Sequence, residues 1–307
     1  MRTKLLTAIA ALGFAAMGST VQAERLTDAP LVDAAWLQQH LGNDSLVVLD
    51  VRDAVDNVVP YTVGHIPGSI SAPYSSSGWR QELQGVPGQF PGEDVAAKLI
   101  GDLGISNDDH VVIVPQGTDA SEFGAATRIY WTFKVLGHDA VSILNGGARA
   151  WTSANGELTA EATTLQPTTF NAQFRQDLLA STADVQAALA DGTALIDGRP
   201  AAQYRGEAKS PVVRVAGTIP GSVNLENGLL YSADNASFAN ADVVAQFASG
   251  LGVDADEKNI VFCNTGHWAS IVWFGLSEVQ GNKNTRMYDG SMAEWAADES
   301  RPVANGS

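Results

Sequence analysis

The sequence predicts an α/β protein made of two similar domains, each with a central, mainly parallel sheet flanked by helices. Short apolar runs alternate with longer amphipathic segments in both halves of the chain, which is the pattern of strand-helix units around such a sheet. The 307 residues also suffice for two domains. A third observation is an internal repeat, which divides the chain into two halves of matching design.

The chain begins with a segment typical of a secretory signal peptide. Arg2 and Lys4 precede an apolar run over 5–21, and Val21-Gln22-Ala23 is a small-x-small cleavage site. The run is short for a membrane span and is diluted by glycines and hydroxyl residues. We therefore expect residues 1–23 to be a signal peptide and the mature protein to be periplasmic, with no membrane anchor after cleavage.

The charge of the chain excludes two classes of partner. It carries 18 lysines and arginines against 34 acidic residues, a formal net charge of −16, and removal of residues 1–23 takes this to −18 because Arg2 and Lys4 are lost. Such a surface repels nucleic acid and anionic lipid. We expect neither as a partner.

The main predicted elements follow from local patterns. Apolar runs ending near Asp50, Val114, Asp197 and Phe262 read as buried strands, and amphipathic periodicity predicts helices at 94–103, 125–136, 182–190 and 242–251. Ligands of parallel sheets bind beyond the carboxyl ends of the strands. Residues that follow these runs are therefore the candidates for a site.

The repeat consists of four motifs in the same order in both halves. A strand ends in Asp-x-Arg, a Gly-x-Ile-Pro-Gly-Ser segment follows, a second strand leads into a loop, and a Gly-containing segment ends at Trp. The two copies occupy 46–52 and 194–199, 64–70 and 217–223, 110–115 and 259–263, and 145–151 and 289–295. The sequence thus predicts domains at 24–151 and 177–307, joined by a linker at 152–176 with one strand at 168–174.

The single cysteine, Cys263, follows the strand 259–262 and precedes a polar, Gly-containing loop that opens a helix. Backbone N–H groups at a helix N-terminus favour the anionic form of a thiol. A lone cysteine is also often a small core residue. One cysteine cannot form a disulfide within the chain, so the thiol is either inert and buried or kept for chemistry.

The order, spacing and duplication of these motifs resemble the rhodanese family of sulfurtransferases, over 28–151 and 177–298. The resemblance implies that Cys263 is the nucleophile and that the loop beginning with it, followed by a helix opening at Ala269, binds sulfur. The substrate-binding loop residues would be Asn264, Thr265, Gly266, His267 and Trp268. Pro115 stands at the cysteine position of the first copy, so that domain would be non-catalytic and would form one wall of the site. A cysteine phosphatase would have arginine where Ala269 stands.

The chemistry implied by the resemblance is double displacement. The Cys263 thiolate takes the sulfane sulfur of thiosulfate, expels sulfite and holds a persulfide, which cyanide or a thiol then removes. The partners would be a small-molecule sulfur donor and a thiophilic acceptor, with a protein sulfur acceptor as a further option. No cofactor is required, and the five histidines form no recognisable metal-ligand cluster. The alternatives are a 3-mercaptopyruvate sulfurtransferase and a non-catalytic persulfide carrier.

Several positions depart from the better-known members of the family. No cation follows Cys263, so His267 would either supply positive charge or pack as a neutral side chain at the helix start. Gln203 occupies the position of a substrate-binding arginine, and Arg205 would be either the anion clamp or a surface charge. Asp197 and Arg199, the Asp-x-Arg motif of the second copy, are expected to support the site structurally.

Overall fold

The computed structural model describes residues 25–253 and 255–307. Its strands are β1 (Leu31–Val32), β2 (Leu46–Asp50), β3 (Ile70–Ser71), β4 (Gln81–Leu83), β5 (Val86–Gln89), β6 (His110–Val114), β7 (Val141–Leu144), β8 (Leu179–Ala180), β9 (Ala194–Asp197), β10 (Val223–Asn224), β11 (Tyr231–Ser232), β12 (Ser237–Phe238), β13 (Asn259–Phe262) and β14 (Thr285–Tyr288). Its α-helices are α1 (Ala34–His40), α2 (Pro60–Val63), α3 (Glu93–Asp102), α4 (Ala120–Val135), α5 (Gly147–Ser153), α6 (Thr182–Asp191), α7 (Ala201–Tyr204), α8 (Ala241–Gly250), α9 (His267–Trp273) and α10 (Ser291–Trp295).

Two five-stranded sheets organise the chain, and all their strand pairs are parallel. The first has the order β1-β7-β6-β2-β3 and the second the order β10-β9-β13-β14-β8. Read from β8, the second sheet has the same strand order as the first, with β13 at the position of β6. The predicted fold class, two similar α/β domains with parallel sheets, is confirmed.

Four of the α-helices, α1, α4, α6 and α8, begin where a side chain accepts one or more of their free N–H groups. Asp119 accepts the N–H groups of Ser121 and Glu122, so α4 starts at Ala120, five residues before the predicted start. Ser181 and Asp184 form a capping box at α6. The helices predicted at 94–103, 182–190 and 242–251 lie within one residue of α3, α6 and α8 at each end.

The strand expected at 168–174 is absent, and this prediction was wrong. The N–H groups of Thr168, Gln173 and Arg175 donate to carbonyls of Gly101, Leu136 and Val135 instead of to a strand. These carbonyls lie at the carboxyl ends of α3 and α4, where helices leave acceptors unpaired. The segment therefore closes two helix ends of the first domain.

The two domains share one hydrophobic cluster, which contains residues of both halves of the chain. Helix α4 of the first domain packs against α9 of the second. Tyr130 meets Phe274 edge to face with ring centroids 5.0 Å apart, and the hydroxyls of Thr127 and Ser270 lie 2.8 Å apart. Because α9 follows Cys263, this packing places the cysteine loop at the domain interface.

None of the helices within 25–253 and 255–307 is long and apolar enough to span a membrane. The signal peptide predicted at 1–23 lies outside the described residues.

Candidate active site

Cys263 lies at the carboxyl end of β13, the central strand of the second sheet. Its side chain is 1% exposed, yet it lines a cavity of about 580 Å³ between the two domains. Its backbone N–H donates to Ser291 Oγ at 3.0 Å, and its carbonyl accepts the N–H of Met292. The thiol is thus held rigidly at the floor of a cavity that opens where parallel sheets bind ligands.

The loop after Cys263 ends earlier than predicted. Helix α9 begins at His267, not at Ala269, and Gly266 precedes it with a φ of +76°. A left-handed residue at this point turns the chain sharply, and glycine adopts that conformation without a side-chain penalty. The N-terminus of the helix is consequently two residues closer to the thiol than the sequence indicated.

Several backbone N–H groups of this loop have no acceptor within the described part of the chain. They belong to Asn264, Thr265, His267 and Trp268. The N–H of Gly266 is different, since it donates to Ser291 Oγ at 3.1 Å. Unpaired N–H groups in a tight loop at a helix N-terminus form a cradle for an anionic atom. Four of the five N–H groups expected to hold a sulfur anion therefore remain open for it.

Ser291 fixes the loop from outside, and the sequence reasoning missed it. Its hydroxyl accepts the N–H groups of Cys263 and Gly266, donates to the Tyr288 carbonyl at 2.9 Å, and lies 4.0 Å from Cys263 Sγ. Its φ of +50° is unusual for serine, and Gly147 adopts +58° at the matching position of the first copy. A serine replacing glycine in the motif before the terminal Trp was the available signal.

A buried ion pair supports the other side of the loop. Arg128 Nη1 of α4 lies 2.5 Å from Asp289 Oδ1, with 0% and 7% of the side chains exposed. The second oxygen of Asp289 accepts the N–H of Phe90. Gly266 leaves no space for a Cβ, which would lie 2.3 Å from Arg128 Nη1 and 2.4 Å from Asp289 Oδ1. Any residue larger than glycine at position 266 would therefore displace the Arg128–Asp289 ion pair.

A second arginine of the first domain hydrogen-bonds the loop directly. Arg80 donates from Nη2 to the Thr265 carbonyl at 2.9 Å and to Thr265 Oγ1 at 3.0 Å. Its Nε donates to the Gly88 carbonyl and its Nη1 to Tyr74 Oη. Sequence reasoning sought this charge near Cys263 in the second copy and could not find it, because Arg80 lies 183 residues away along the chain.

His267 packs against the first domain, and its contacts favour the neutral side chain of the two alternatives drawn from the sequence. Its Nε2 lies 2.8 Å from the Ser121 carbonyl, an acceptor only, so Nε2 carries the proton and Nδ1 accepts from Tyr74 Oη at 2.9 Å. Burial, reinforced by the positive charge of Arg80, lowers the pKa of His267 to about 4. We therefore expect His267 to supply no positive charge at neutral pH.

The first domain contributes nine of the sixteen residues that line the cavity. Three of these are acidic, namely Asp53, Asp119 and Glu122, whereas Arg80 is the one arginine or lysine that the lining contains within 25–253 and 255–307. Trp268 lines the cavity from the second domain and donates from Nε1 to Ser121 Oγ at 2.9 Å. The first domain thus forms one wall of the site, and most of the charged residues in that wall are acidic.

The remaining predicted residues lie around the loop or away from it. Arg199 and Asp197 are fully buried and paired, and Arg199 also donates to the Gly217 carbonyl at 2.8 Å. Gln203 Oε1 accepts from Asn264 Nδ2 at 2.9 Å. Arg205 is half exposed, pairs with Glu207 and is not among the residues that line the cavity, which favours the surface charge of the two alternatives.

In the first domain the loop that matches the cysteine loop is already occupied. The N–H groups of Gln116 and Gly117, directly after Pro115, donate to the two carboxylate oxygens of Glu122 at 2.5 and 2.7 Å. Burial raises the pKa of Glu122, while these N–H groups act in the opposite direction. The first copy therefore lacks both a nucleophile and an open anion cradle.

Comparisons with known proteins agree with this architecture. The rhodanese-like domain family matches residues 33–154 and 181–298. The sulfur carrier protein TtuD of Thermus thermophilus is 30% identical over 289 residues, covering 90% of this chain and 96% of that protein. Thiosulfate/3-mercaptopyruvate sulfurtransferase 2 of Arabidopsis thaliana is 28% identical over 309 residues, covering 92% of this chain and 88% of that protein. Among solved structures, the 3-mercaptopyruvate sulfotransferase SseA of Escherichia coli superimposes with a TM-score of 0.71 at 26% identity, covering 86% of this chain and 98% of its own.

Proposed function

The chain belongs to the rhodanese-like domain family, and from that premise we propose that it is a sulfurtransferase whose nucleophile is Cys263. In this proposal the thiolate takes the sulfane sulfur of thiosulfate and passes it to cyanide or to a thiol. The observation that carries it is a single buried thiol at the carboxyl end of the central strand, facing a loop of open N–H groups.

The geometry suits a persulfide intermediate. Attack on the outer sulfur of the donor forms a Cys263 S–S bond and expels sulfite with the bonding electron pair. The negative charge of the outer sulfur then lies against the N–H groups of Asn264, Thr265, His267 and Trp268. Ser291 and the Arg128–Asp289 pair hold the loop in place, so the cradle exists before the donor binds.

A second donor, 3-mercaptopyruvate, is supported by a specific observation. The loop carries no cation of its own, and Arg80 directs Nη2 to Thr265 rather than into a fork for a dianion. The relationship to SseA is consistent with that donor. A third reading, a persulfide carrier that serves a protein acceptor, draws support from the likeness to TtuD.

Intact-mass spectrometry with both donors tests the proposal. Wild-type protein should gain one sulfur atom, lose it to cyanide and form thiocyanate over many cycles, whereas Cys263→Ser should do neither. The donor that loads faster identifies the preferred substrate. One round of loading with poor turnover would favour the carrier, and no loading by either donor would overturn the proposal.

We also propose that the protein is exported to the periplasm and cleaved after Ala23, on the strength of the basic start, the apolar run and the small-x-small site at 21–23. Expression in a Gram-negative host, fractionation and N-terminal sequencing test this. A mature chain starting at Glu24 in the periplasmic fraction is expected, and an uncleaved cytoplasmic protein would contradict it.

A further inference from the structure

The cavity that contains Cys263 has three acidic residues in its lining, and this charge points to a particular kind of sulfur acceptor. We infer that the acceptor is a small thiol carrying a protonated nitrogen, as in an aminothiol, rather than an anion. This inference rests on the proposed function, because it concerns the second half of the same reaction.

The first argument is the charge of the cavity wall. Asp53 is partly exposed and Asp119 is exposed, and both line the cavity that contains Cys263. Their oxygens accept only local hydrogen bonds, Asp53 from Ser75 and Asp119 from the start of α4, and within the described residues neither is in an ion pair that would neutralise its charge. The chain as a whole carries a net charge of −16, which adds to the local field. A cleft lined by one sign of charge raises the local concentration and association rate of ligands of the opposite sign. The field of the cavity therefore raises the association rate of a cationic acceptor and lowers that of an anionic one.

The second argument is that the one guanidinium in the wall is already engaged. A guanidinium has five N–H donors, and Arg80 directs four of them to Gly88, Tyr74 and Thr265. The two parallel donors that bind a carboxylate or sulfonate are not presented to the cavity. Arg80 therefore holds the loop rather than offering a fork to an anionic acceptor.

The third argument is an unpaired acceptor beside the nucleophile. Asn264 lines the cavity, is 7% exposed and donates from Nδ2 to Gln203, but its Oδ1 has no hydrogen-bond partner among the residues that the structure describes. A buried oxygen without a donor costs free energy, and an N–H of a bound molecule would remove that cost. An ammonium group is a donor of this kind.

The order of the reaction separates the acceptor from the donor. The donor, an anion, enters while the N–H groups of the loop are open. After transfer those groups hold the outer sulfur of the persulfide, so an anionic acceptor finds no free N–H groups there. The negative charges of Asp53 and Asp119 and the unpaired oxygen of Asn264 remain, and each attracts a positively charged donor group.

The transfer step balances without any further reactant. The acceptor thiolate attacks the outer sulfur of the Cys263 persulfide and forms a new S–S bond. The bond between that sulfur and Cys263 Sγ breaks, and its electron pair returns to Sγ as the thiolate. The products are the acceptor persulfide and the free enzyme.

Three thiols of similar size test the inference, namely cysteamine, 2-mercaptoethanol and mercaptoacetate, which carry a positive, no and a negative charge. Protein loaded by whichever donor forms the persulfide is freed of that donor. The loss of one sulfur is then followed by mass spectrometry, with each rate expressed per thiolate. We expect cysteamine to exceed mercaptoacetate by at least about tenfold in the wild type, and less at high salt.

Matched variants locate the effect. Asp53→Asn combined with Asp119→Asn should bring the cysteamine to mercaptoacetate ratio close to one, and asparagine preserves the helix cap at position 119. Asp44→Asn combined with Asp108→Asn removes the same charge from exposed positions outside the cavity and should keep the wild-type ratio. If the cavity double variant does not fold, each single variant should lower the ratio.

The outcomes separate this inference from the proposed function. A persulfide that 2-mercaptoethanol discharges, with cysteamine no faster than mercaptoacetate, overturns the inference and leaves sulfur transfer standing. An equal fall of the ratio in the control variant also overturns it, because net charge alone would then explain the preference. Failure of both donors to load Cys263 overturns the two together.

Discussion

Ser291 fixes the cysteine loop from a backbone conformation that serine rarely adopts. Its φ of +50° brings one hydroxyl within reach of the N–H groups of Cys263 and Gly266. The strain is compensated by these hydrogen bonds, which only an oxygen at this point can accept. Ser291 is thus a positioning residue for the nucleophile.

Replacing Ser291 should separate strain from positioning. Ser291→Ala keeps the left-handed strain and loses the hydroxyl, whereas Ser291→Gly loses both, so glycine should be more stable than alanine by about 1 kcal/mol. Both should slow persulfide formation by about tenfold or more, since the loop loses its anchor. Urea denaturation and single-turnover loading measure these effects, and unchanged loading in Ser291→Gly would contradict the positioning role.

Gly266 offers a second prediction, with a control inside the same domain. Gly266→Ala and Gly221→Ala both place alanine at a φ near +75°, but a Cβ at 221 meets nothing within 4 Å, whereas at 266 it meets the Arg128–Asp289 pair. Gly221→Ala should cost about 1 kcal/mol of unfolding free energy, and Gly266→Ala at least about 3 kcal/mol because a buried ion pair is displaced. Denaturant unfolding of both variants provides the test, and equal losses would show that only the backbone conformation matters.

At the scale of elements, the hairpin region of the first domain reaches across to the loop after β13. Arg80 precedes β4 and binds Thr265, while α4 presents Ser121 to His267 and Trp268. The active loop is therefore held by elements of both domains, and the first domain has a role although it lacks the cysteine.

Because Arg80 contacts the active loop, its replacement should reduce activity. Replacement of Arg149, which crosses the same interface away from the loop, should not. Arg80→Lys keeps the charge but cannot bind Tyr74, Gly88 and Thr265 together, so kcat/KM should fall about tenfold. Arg149 also crosses the interface, to carbonyls of Ala233 and Asp234, without touching the loop. Arg149→Lys should keep wild-type kinetics in the same assay, and a similar fall in both variants would point to general loosening of the interface.

Local pattern was sufficient for the long elements and insufficient for contacts across the interface. The apolar runs at β2, β6, β9 and β13 and the periodicity of α3, α6 and α8 agree with the structure because tertiary packing reinforces local preference there. The segment at 168–174 failed because its backbone bonds to helix ends, which no alternation of residues reveals. Within the site, Cys263 and its loop were identified from the motif, whereas Arg80, Tyr74 and Ser121 meet it only through folding.

For the whole molecule, two buried histidines and a partly buried one predict how stability depends on pH. Burial lowers the pKa of His110, His138 and His267 from the usual 6.5 to about 4. Between these values the unfolded chain binds protons that the folded protein does not, so stability falls as the pH falls from about 6.5 to about 4. His110 and His138, which are 0% and 3% exposed, each contribute up to about 1.4 kcal/mol per pH unit.

Urea denaturation at pH 7, 6 and 5 measures this dependence. The unfolding free energy should decrease at each step, and the decrease should be smaller in His110→Asn, which removes one of the three groups. A constant value across this range would contradict the assignment of neutral buried histidines.

The carboxylate of Glu122 makes the two copies of the domain differ in a second way, beyond the loss of the cysteine. The first domain keeps the backbone loop that could bind an anion, but the Glu122 carboxylate of its own helix α4 already accepts the N–H groups of that loop. A cysteine installed at position 115 would meet a negative neighbour instead of open N–H groups, and so would not become a second nucleophile. Two separate differences therefore keep the first copy from acting as a second site, the missing thiol and the carboxylate that binds its loop. A functional first copy would require both a cysteine at position 115 and the removal of the Glu122 carboxylate from the loop.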